Sequence, residues 1–277
     1  MSAADPRFSI NQMTVKQLSL PELVDACTAL GVRGVGLWRE PVRAYGLKAA
    51  AGLVRGAGLA VTTLCRGGFL TAAEPAGRAT ALDDNRAAID EAAALGTGVL
   101  VLVSGGLPEG SGDLVGARLR IVDALGELAP YAAERGVRLA VEPLHPMFAS
   151  DRCVVSTLAQ ALDIAEHFPA EQVGVCVDTY HIWWDDAAPA QVERAGAGGR
   201  ICTFQLADWI TPLPAGVLNG RGQIGDGCID MRAWDARVAA AGYRGPVEVE
   251  LFNDGLWAGD GRELLTETAR RFTAHVG

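Results

Sequence analysis

The sequence predicts a single closed (β/α)8 barrel spanning residues 1–277, and three observations carry that prediction. The length of 277 residues suits such a barrel, which typically needs about 250. Eight apolar runs of strand length alternate with helix-length segments. Four polar residues, Glu142, Asp178, Gln205 and Glu250, each stand at the end of an apolar run in the second half of the chain. The C-terminal ends of successive parallel strands converge on one point, where α/β folds keep their chemistry.

The eight runs are Phe8–Asn11, Gly34–Trp38, Ala60–Cys65, Val99–Ser104, Arg138–Glu142, Val173–Asp178, Ile201–Leu206 and Val247–Phe252. Between most of them the apolar residues recur with the 3.6-residue period of an amphipathic helix. Leu20–Leu30 follows Ser19, an N-cap residue type, and stops at Gly31, a glycine placed to end a helix in the left-handed conformation. Ala81–Leu95 and Gly112–Arg135 stop at Gly96 and Gly136 in the same way. Ser156–His167 stops before Pro169, Asp230–Ala241 stops at Gly242, and Asp260–His275 closes the chain. Strand, helix and glycine stop, repeated, is the signature of βαβ units and a parallel sheet.

An open doubly wound sheet has the same rhythm. Eight units, however, is the closing number, and the polar strand ends are spread over the last four strands rather than gathered at one switch point. No G-x-G-x-x-G follows the first strand, so a dinucleotide fold lacks its motif. The longest irregular stretch is Ala207–Ile229, with Pro212, Pro214, Gly216, Gly220, Gly222, Gly225 and Gly227. A loop of that length in a compact barrel is usually functional.

Hydrophobic residues make up 49% of the chain and charged residues 21%, which supplies one large core and excludes a disordered protein. A net charge of −9 and a pI near 5.0 disfavour nucleic acid, whose affinity depends on clustered Lys and Arg. The six cysteines show no C-x-x-C spacing, and Cys176 and Cys202 lie inside apolar runs, so buried free thiols are expected. The N-terminus MSAADPRFSI has no signal-peptide pattern, and no run reaches the ~18 apolar residues of a membrane span. A cytoplasmic protein with no membrane partner is expected.

Carboxylates that converge at strand ends repel one another, and a bound divalent cation relieves that repulsion. Glu142, Asp178, Gln205 and Glu250 form an all-oxygen donor set carrying three negative charges. Such a set favours Mn²⁺ or Mg²⁺ over Zn²⁺, which prefers nitrogen and sulfur. Period-two alternation places Glu248, Glu250 and Phe252 on one face, with Glu250 pointing into the barrel near its top and Glu248 a layer lower. His181 lies three residues past Asp178 and is placed for a substrate hydrogen bond, with Trp183 as an apolar wall over a sugar ring. His145, held between Leu144 and Pro146, is a candidate general base. Arg66, Arg152, Asp208, Arg221 and Asp226 are polar residues on the same rim, and the glycines after Arg66 and Ser104 allow close backbone approach to a ligand.

These residues resemble the xylose isomerase-like TIM barrel superfamily of sugar isomerases and epimerases over nearly the whole chain. The pieces that carry the resemblance are E-P at Glu142, D-T-x-H at Asp178, Gln205 with Asp208 three on, G-x-I-G-D-G-x-I-D over Gly222–Asp230, and V-E-x-E ending at Glu250. The resemblance implies divalent-metal ligands at Glu142, Asp178, Gln205 and Glu250, with glutamine where the family usually has histidine. It implies an acid/base pair at Glu142 and Glu250, and substrate contacts at His181, with Arg66, Trp183, Asp208 and Arg221 on the same rim. E-P-L-H-P with the strand-end Gln205 further resembles metal-dependent subunits that cleave C-glycosides, where His145 matches a base and a small partner subunit is implied. Endonuclease members use a histidine-rich multi-zinc cluster, which this chain's four histidines do not supply. The expected activity is a metal-dependent sugar isomerase or epimerase acting through an enediolate. The alternatives are a lyase cleaving 3-oxo-glycosides by β-elimination and a sugar-binding barrel without turnover. A homo-oligomer is compatible with the exposed helices of such a barrel.

Overall fold

Parallel strands that are apolar at nearly every position need cover on both faces, and here they find it by closing on themselves. The computed structural model describes residues 4–214 and 217–276. Its strands are β1 (Phe8–Asn11), β2 (Gly34–Trp38), β3 (Ala60–Gly68), β4 (Val99–Val103), β5 (Arg138–Glu142), β6 (Val173–Asp178), β7 (Ile201–Leu206), β8 (Asp208–Trp209), β9 (Arg221–Gly222) and β10 (Val247–Val249). All but β8 and β9 form a closed parallel barrel in the order β1-β10-β7-β6-β5-β4-β3-β2. The expected (β/α)8 architecture is what the chain adopts.

Helices cover the outside. Leu20–Leu30 begins with a capping box, in which the Glu22 carboxylate accepts from the Ser19 backbone N–H at 2.8 Å, and it ends at Gly31 with φ 70°. Leu114–Ala133, Leu158–Ala165, Met231–Ala240 and Gly261–His275 fall within the expected segments, while Pro75–Leu95 begins six residues before the expected Ala81. The short helix Ala188–Ala197, which connects β6 to β7, has no counterpart in the sequence reading. The core between barrel and helices is continuous, while the barrel interior holds a small cluster of Cys65, Val101, Ala140 and Cys176.

Three strands differ from expectation in length, β4 by the one residue Ser104 and β3 and β10 by more. β3 runs on to Gly68 because Asn85 grips that residue: its Oδ1 accepts from Gly68 N at 2.6 Å and its Nδ2 donates to Gly68 O at 2.8 Å. Gly68 has φ 111°, and a Cβ there would sit 1.9 Å from Val103 O, so no other residue fits. β10 stops at Val249, since Leu251 N donates to the Thr14 hydroxyl at 2.9 Å instead of to a neighbouring strand.

The stretch expected to be irregular contains structure. Asp208–Trp209 pairs antiparallel with Arg221–Gly222, which folds the loop back over the barrel mouth. Gly216 of that loop lies outside the described residues. All six cysteines are free thiols. No helix among the described residues is long and apolar enough to cross a membrane.

Candidate active site

The site is built in two layers at the C-terminal end of the barrel. The lower layer centres on Glu248, which is fully buried. Its Oε1 accepts from Asn11 Nδ2 at 2.7 Å and Gln205 Nε2 at 2.9 Å, and its Oε2 accepts from the Thr62 and Thr63 hydroxyls at 2.8 Å each. Donors from β1, β3 and β7 thus converge on one carboxylate, and no Lys or Arg among the described residues pairs with it. Gly36 of β2 makes the room, because a Cβ there would meet Glu248 Oε1 at 2.4 Å.

Gln205 belongs to both layers. Strand register pairs it with Asp178 on one side and Glu248 on the other. Its Nε2 is committed to Glu248, so its Oε1 faces away, where it accepts from Cys176 Sγ at 3.1 Å. The amide orientation is therefore dictated by the buried carboxylate.

The upper layer holds Glu142, Asp178, Glu250, Arg221 and His181, all nearly or fully buried. Arg221 Nη1 donates to Glu250 Oε2 at 2.9 Å and to Asp178 Oδ2 at 3.2 Å. Two carboxylates thus share one guanidinium, and Glu142 feels its charge without a bond to it. Burial, followed by the charges of Glu250 and Asp178, pushes the Glu142 carboxyl well above its usual range. Burial also raises Asp178, against the pull of Arg221. Glu250 is pushed up to about 7, by burial first, with Arg221 opposing and Asp178 and Glu248 adding to it. Burial works against the Arg221 charge, but Glu250, Asp178 and Glu142 outweigh it and hold the guanidinium protonated.

Burial and the neighbouring Arg221 keep His181 well below its ordinary value, so the ring is neutral. His145 N donates to His181 Nδ1 at 3.2 Å, while Nε2 lies 3.2 Å from Arg221 Nη2 and 3.7 Å from Asp178 Oδ2. A neutral imidazole has one lone pair. The His145 backbone N–H at Nδ1 and the Arg221 guanidinium at Nε2 compete for it, and the tautomer sets which of the two is accepted.

Glu142 has no such support. Its carboxylate finds, among the described residues, only the Cys176 thiol at 4.0 Å. Ligand atoms of Glu142, Asp178 and His181 all lie within 4.8 Å of one another. A buried carboxylate whose one donor is a thiol at 4.0 Å, beside two more carboxylates and a neutral imidazole, is a donor set that fits a divalent cation.

A cavity opens above this cluster. Glu142, Glu250, His181 and Arg221 line it on the acidic side, and Trp38, Val101, Val103, Leu144, Phe148 and Phe252 form apolar walls. Arg66 and Arg152 line it as well. The other residues singled out from sequence lie elsewhere. His145 is outside the cavity lining; its ring packs against Trp184 and Trp209, and its Nδ1 accepts from Met147 N at 3.3 Å. Trp183 packs on Trp209. Asp208 is fully buried and accepts from the backbone N–H groups of Gly225, Gly227 and Ile229. It holds the long loop in shape.

Sequence reasoning treated Arg221 as one rim residue among several, whereas the β8–β9 pair carries it to the centre of the carboxylates. It did not single out Asn11, Thr62, Thr63 or Gly36. The one signal for that layer is alternation, which puts Glu248 on the same face as Glu250.

A sequence profile of the xylose isomerase-like TIM barrel family matches residues 24–274. Over 163 residues, 57% of this chain, the sequence is 33% identical to the 3-dehydroshikimate dehydratase of Pseudomonas aeruginosa. Over 160 residues it is 29% identical to the inosose isomerase of Bacillus subtilis. These matches span 24% of the dehydratase and 54% of the isomerase. Protein SMc04130 from Sinorhizobium meliloti superposes with a TM-score of 0.94 at 44% identity, covering 98% of each chain. The zinc-bound IolI protein superposes with a TM-score of 0.82 at 22% identity, covering 97% of this chain and 96% of IolI, a likeness of fold.

Proposed function

The chain belongs to the xylose isomerase-like TIM barrel family, and from that premise we propose that it is a divalent-metal-dependent isomerase or epimerase of a sugar or sugar-like oxo-polyol. The observation that carries this reading is the Glu142 carboxylate, buried with only a thiol 4.0 Å away as donor in a cavity it shares with Glu250 and Arg221. Glu142, Asp178 and Glu250 would hold the cation, with Gln205 Oε1 and His181 as neutral donors beside them. When bound, the cation supplies Lewis-acid polarisation of the substrate carbonyl.

The protein's own residues account for the proton. Glu250, which lines the cavity with Glu142 and Arg221, is the group placed to act as general base. It takes the proton from the carbon next to the carbonyl, and the electron pair of that C–H bond shifts toward the carbonyl oxygen. Arg221, already inside the cluster, stabilises the negative charge that develops there. Glu142 returns a proton to the neighbouring carbon or to the opposite face, which gives the isomer or the epimer. The apolar walls keep water from competing.

Similarity to the dehydratase favours a second reading on the same site. After proton removal, a β-hydroxyl or aglycone leaves with a proton from Glu142, and the reaction is an elimination, the lyase alternative. The test uses Mn²⁺-loaded protein in D₂O with ketohexoses, an inosose and 3-oxo-glucosides, followed by mass spectrometry. A new isomer carrying deuterium supports the first reading, and loss of water or aglycone supports the second. Absence of deuterium uptake into every carbonyl compound would overturn both and favour a binding barrel. Glu250→Gln should lower turnover by at least about 100-fold while leaving the melting temperature nearly unchanged.

A further inference from the structure

The cavity has two ends of opposite character. Glu142 and Asp178 come from β5 and β6, and Glu250 directly follows β10. Arg66 belongs to β3, and Arg152 lies on the loop after β5. That loop is pinned over β4, because Gly105 N donates to Arg152 O at 2.8 Å and Gly105 bridges to Cys153. The two arginines therefore stand on the β3–β4 side of the mouth, and the carboxylates on the β5, β6 and β10 side.

Neither arginine is neutralised. Among the described residues the Arg66 guanidinium has no carboxylate within ion-pair distance; it stacks over the Phe69 ring at 4.5 Å. Burial works against its charge, the more distant Glu40 favours it, and Arg152 repels it. The one acidic partner of Arg152 is Asp151 at 3.8 Å, whose side chain is 63% exposed, a weak surface contact. Other arginines of the chain satisfy their guanidinium groups internally: Arg39 pairs with Glu91 at 2.8 Å and Asp84 at 2.9 Å, and Arg200 donates to the backbone oxygens of Ala165, Val173 and Phe168 at 2.9 Å each. Two unneutralised guanidinium groups lining one cavity are a recognition site for an oxyanion, since guanidinium donors match carboxylate and phosphate oxygens.

We propose that Arg66 and Arg152 bind an anionic group, carboxylate or phosphate, on the substrate, so that this enzyme acts on an acidic or phosphorylated oxo-polyol rather than a neutral sugar. This rests on the reading of the cavity as the active site. The reacting carbonyl faces Glu142, Glu250 and Arg221, and the anion lies across the cavity under Arg66 and Arg152. A neutral substrate offers neither guanidinium an oxyanion to pair with, which disfavours it.

The test is calorimetric binding to the intact Mn²⁺-loaded protein. The probes are a ring polyol acid (shikimate), its methyl ester, a neutral ring polyol (myo-inositol) and its monophosphate. The acid or the monophosphate should bind at least about tenfold more tightly than its neutral counterpart, and which of the two gains identifies the anion. Arg66→Gln and Arg152→Gln should each remove most of that gain and leave binding of the neutral probes unchanged. Should Arg66→Gln fail to fold, Arg152→Gln, on a loop and partly exposed, carries the test alone. Equal affinity of charged and neutral probes, or variants that keep the preference, would overturn the proposal. Anion-dependent binding without deuterium exchange would refute the proton-abstraction reading and leave the anion site standing. Exchange into neutral ketones with no anion preference would do the reverse.

Discussion

Replacing Glu248 by alanine removes the acceptor on which four side chains converge. Asn11 Nδ2 and Gln205 Nε2 are amide donors and cannot become acceptors. Asn11 cannot turn over either, because its Oδ1 accepts from Met13 N at 3.0 Å and Trp38 Nε1 at 2.9 Å. Each buried donor left without a partner costs about 1–3 kcal/mol. Thr62 and Thr63 can rotate their hydroxyls to other acceptors and add little. Part of the cost is offset, since Glu248 is a like-charge neighbour that raises Glu142, Asp178 and Glu250. The expected net loss is about 3 kcal/mol, or roughly 6–12 °C in Tm for a chain of this size.

Glu248→Gln should behave differently. Its oxygen can face Asn11 and Gln205 while its NH2 donates to the two threonine hydroxyls, so about 1 kcal/mol is lost, the difference between charged and neutral bonds. The assay is urea unfolding by tryptophan fluorescence and far-UV circular dichroism, whose coincidence licenses a two-state free energy. A Glu248→Ala protein melting within about 2 °C of the parent, or a glutamine variant as damaged as the alanine one, would refute the idea that this carboxylate is held by its amide donors.

Other consequences are open to the same instruments. Gly36→Ala drives a Cβ to 2.4 Å from Glu248 Oε1 and should cost about 1–3 kcal/mol in urea. Mn²⁺ at 100 times its dissociation constant should stabilise the protein by about 2.7 kcal/mol, with Glu142→Gln abolishing the rise in Tm and leaving the metal-free Tm little changed. In metal-free protein Glu250 titrates at about 7 against an ordinary 4.5, so the folded state binds the extra proton between those values. Its contribution to stability is fully present below pH 4.5 and is lost as pH rises through 7; chemical denaturation of the parent relative to Glu250→Gln should fall across that window, and a flat difference would contradict the shift. Arg39→Met should cost about 2–4 kcal/mol, because it strips a partner from Glu91, which is 8% exposed, although Arg43 still reaches that carboxylate at 2.8 Å.

Much of this molecule is written in local pattern. Apolar runs bounded by glycine stops mark five of the eight barrel strands to the residue, because a strand buried on both faces is largely apolar and helices end where Gly31 or Gly96 can take a positive φ. The strand-end positions of Glu142, Asp178 and Gln205 follow directly from those boundaries, and Glu250 falls one residue past the end of β10. What a local pattern does not contain is who meets whom across the barrel. That Gln205 spends its NH2 on Glu248, that Gly36 is small to admit that same carboxylate, that the β8–β9 pair swings Arg221 between Asp178 and Glu250, and that His145 packs among tryptophans instead of facing the cavity all depend on contacts between residues tens to hundreds of positions apart. Hydrophobic period and turn chemistry act over a few residues, whereas hydrogen bonds and charges in the barrel mouth act over a few ångströms, and only closing the barrel converts one kind of distance into the other.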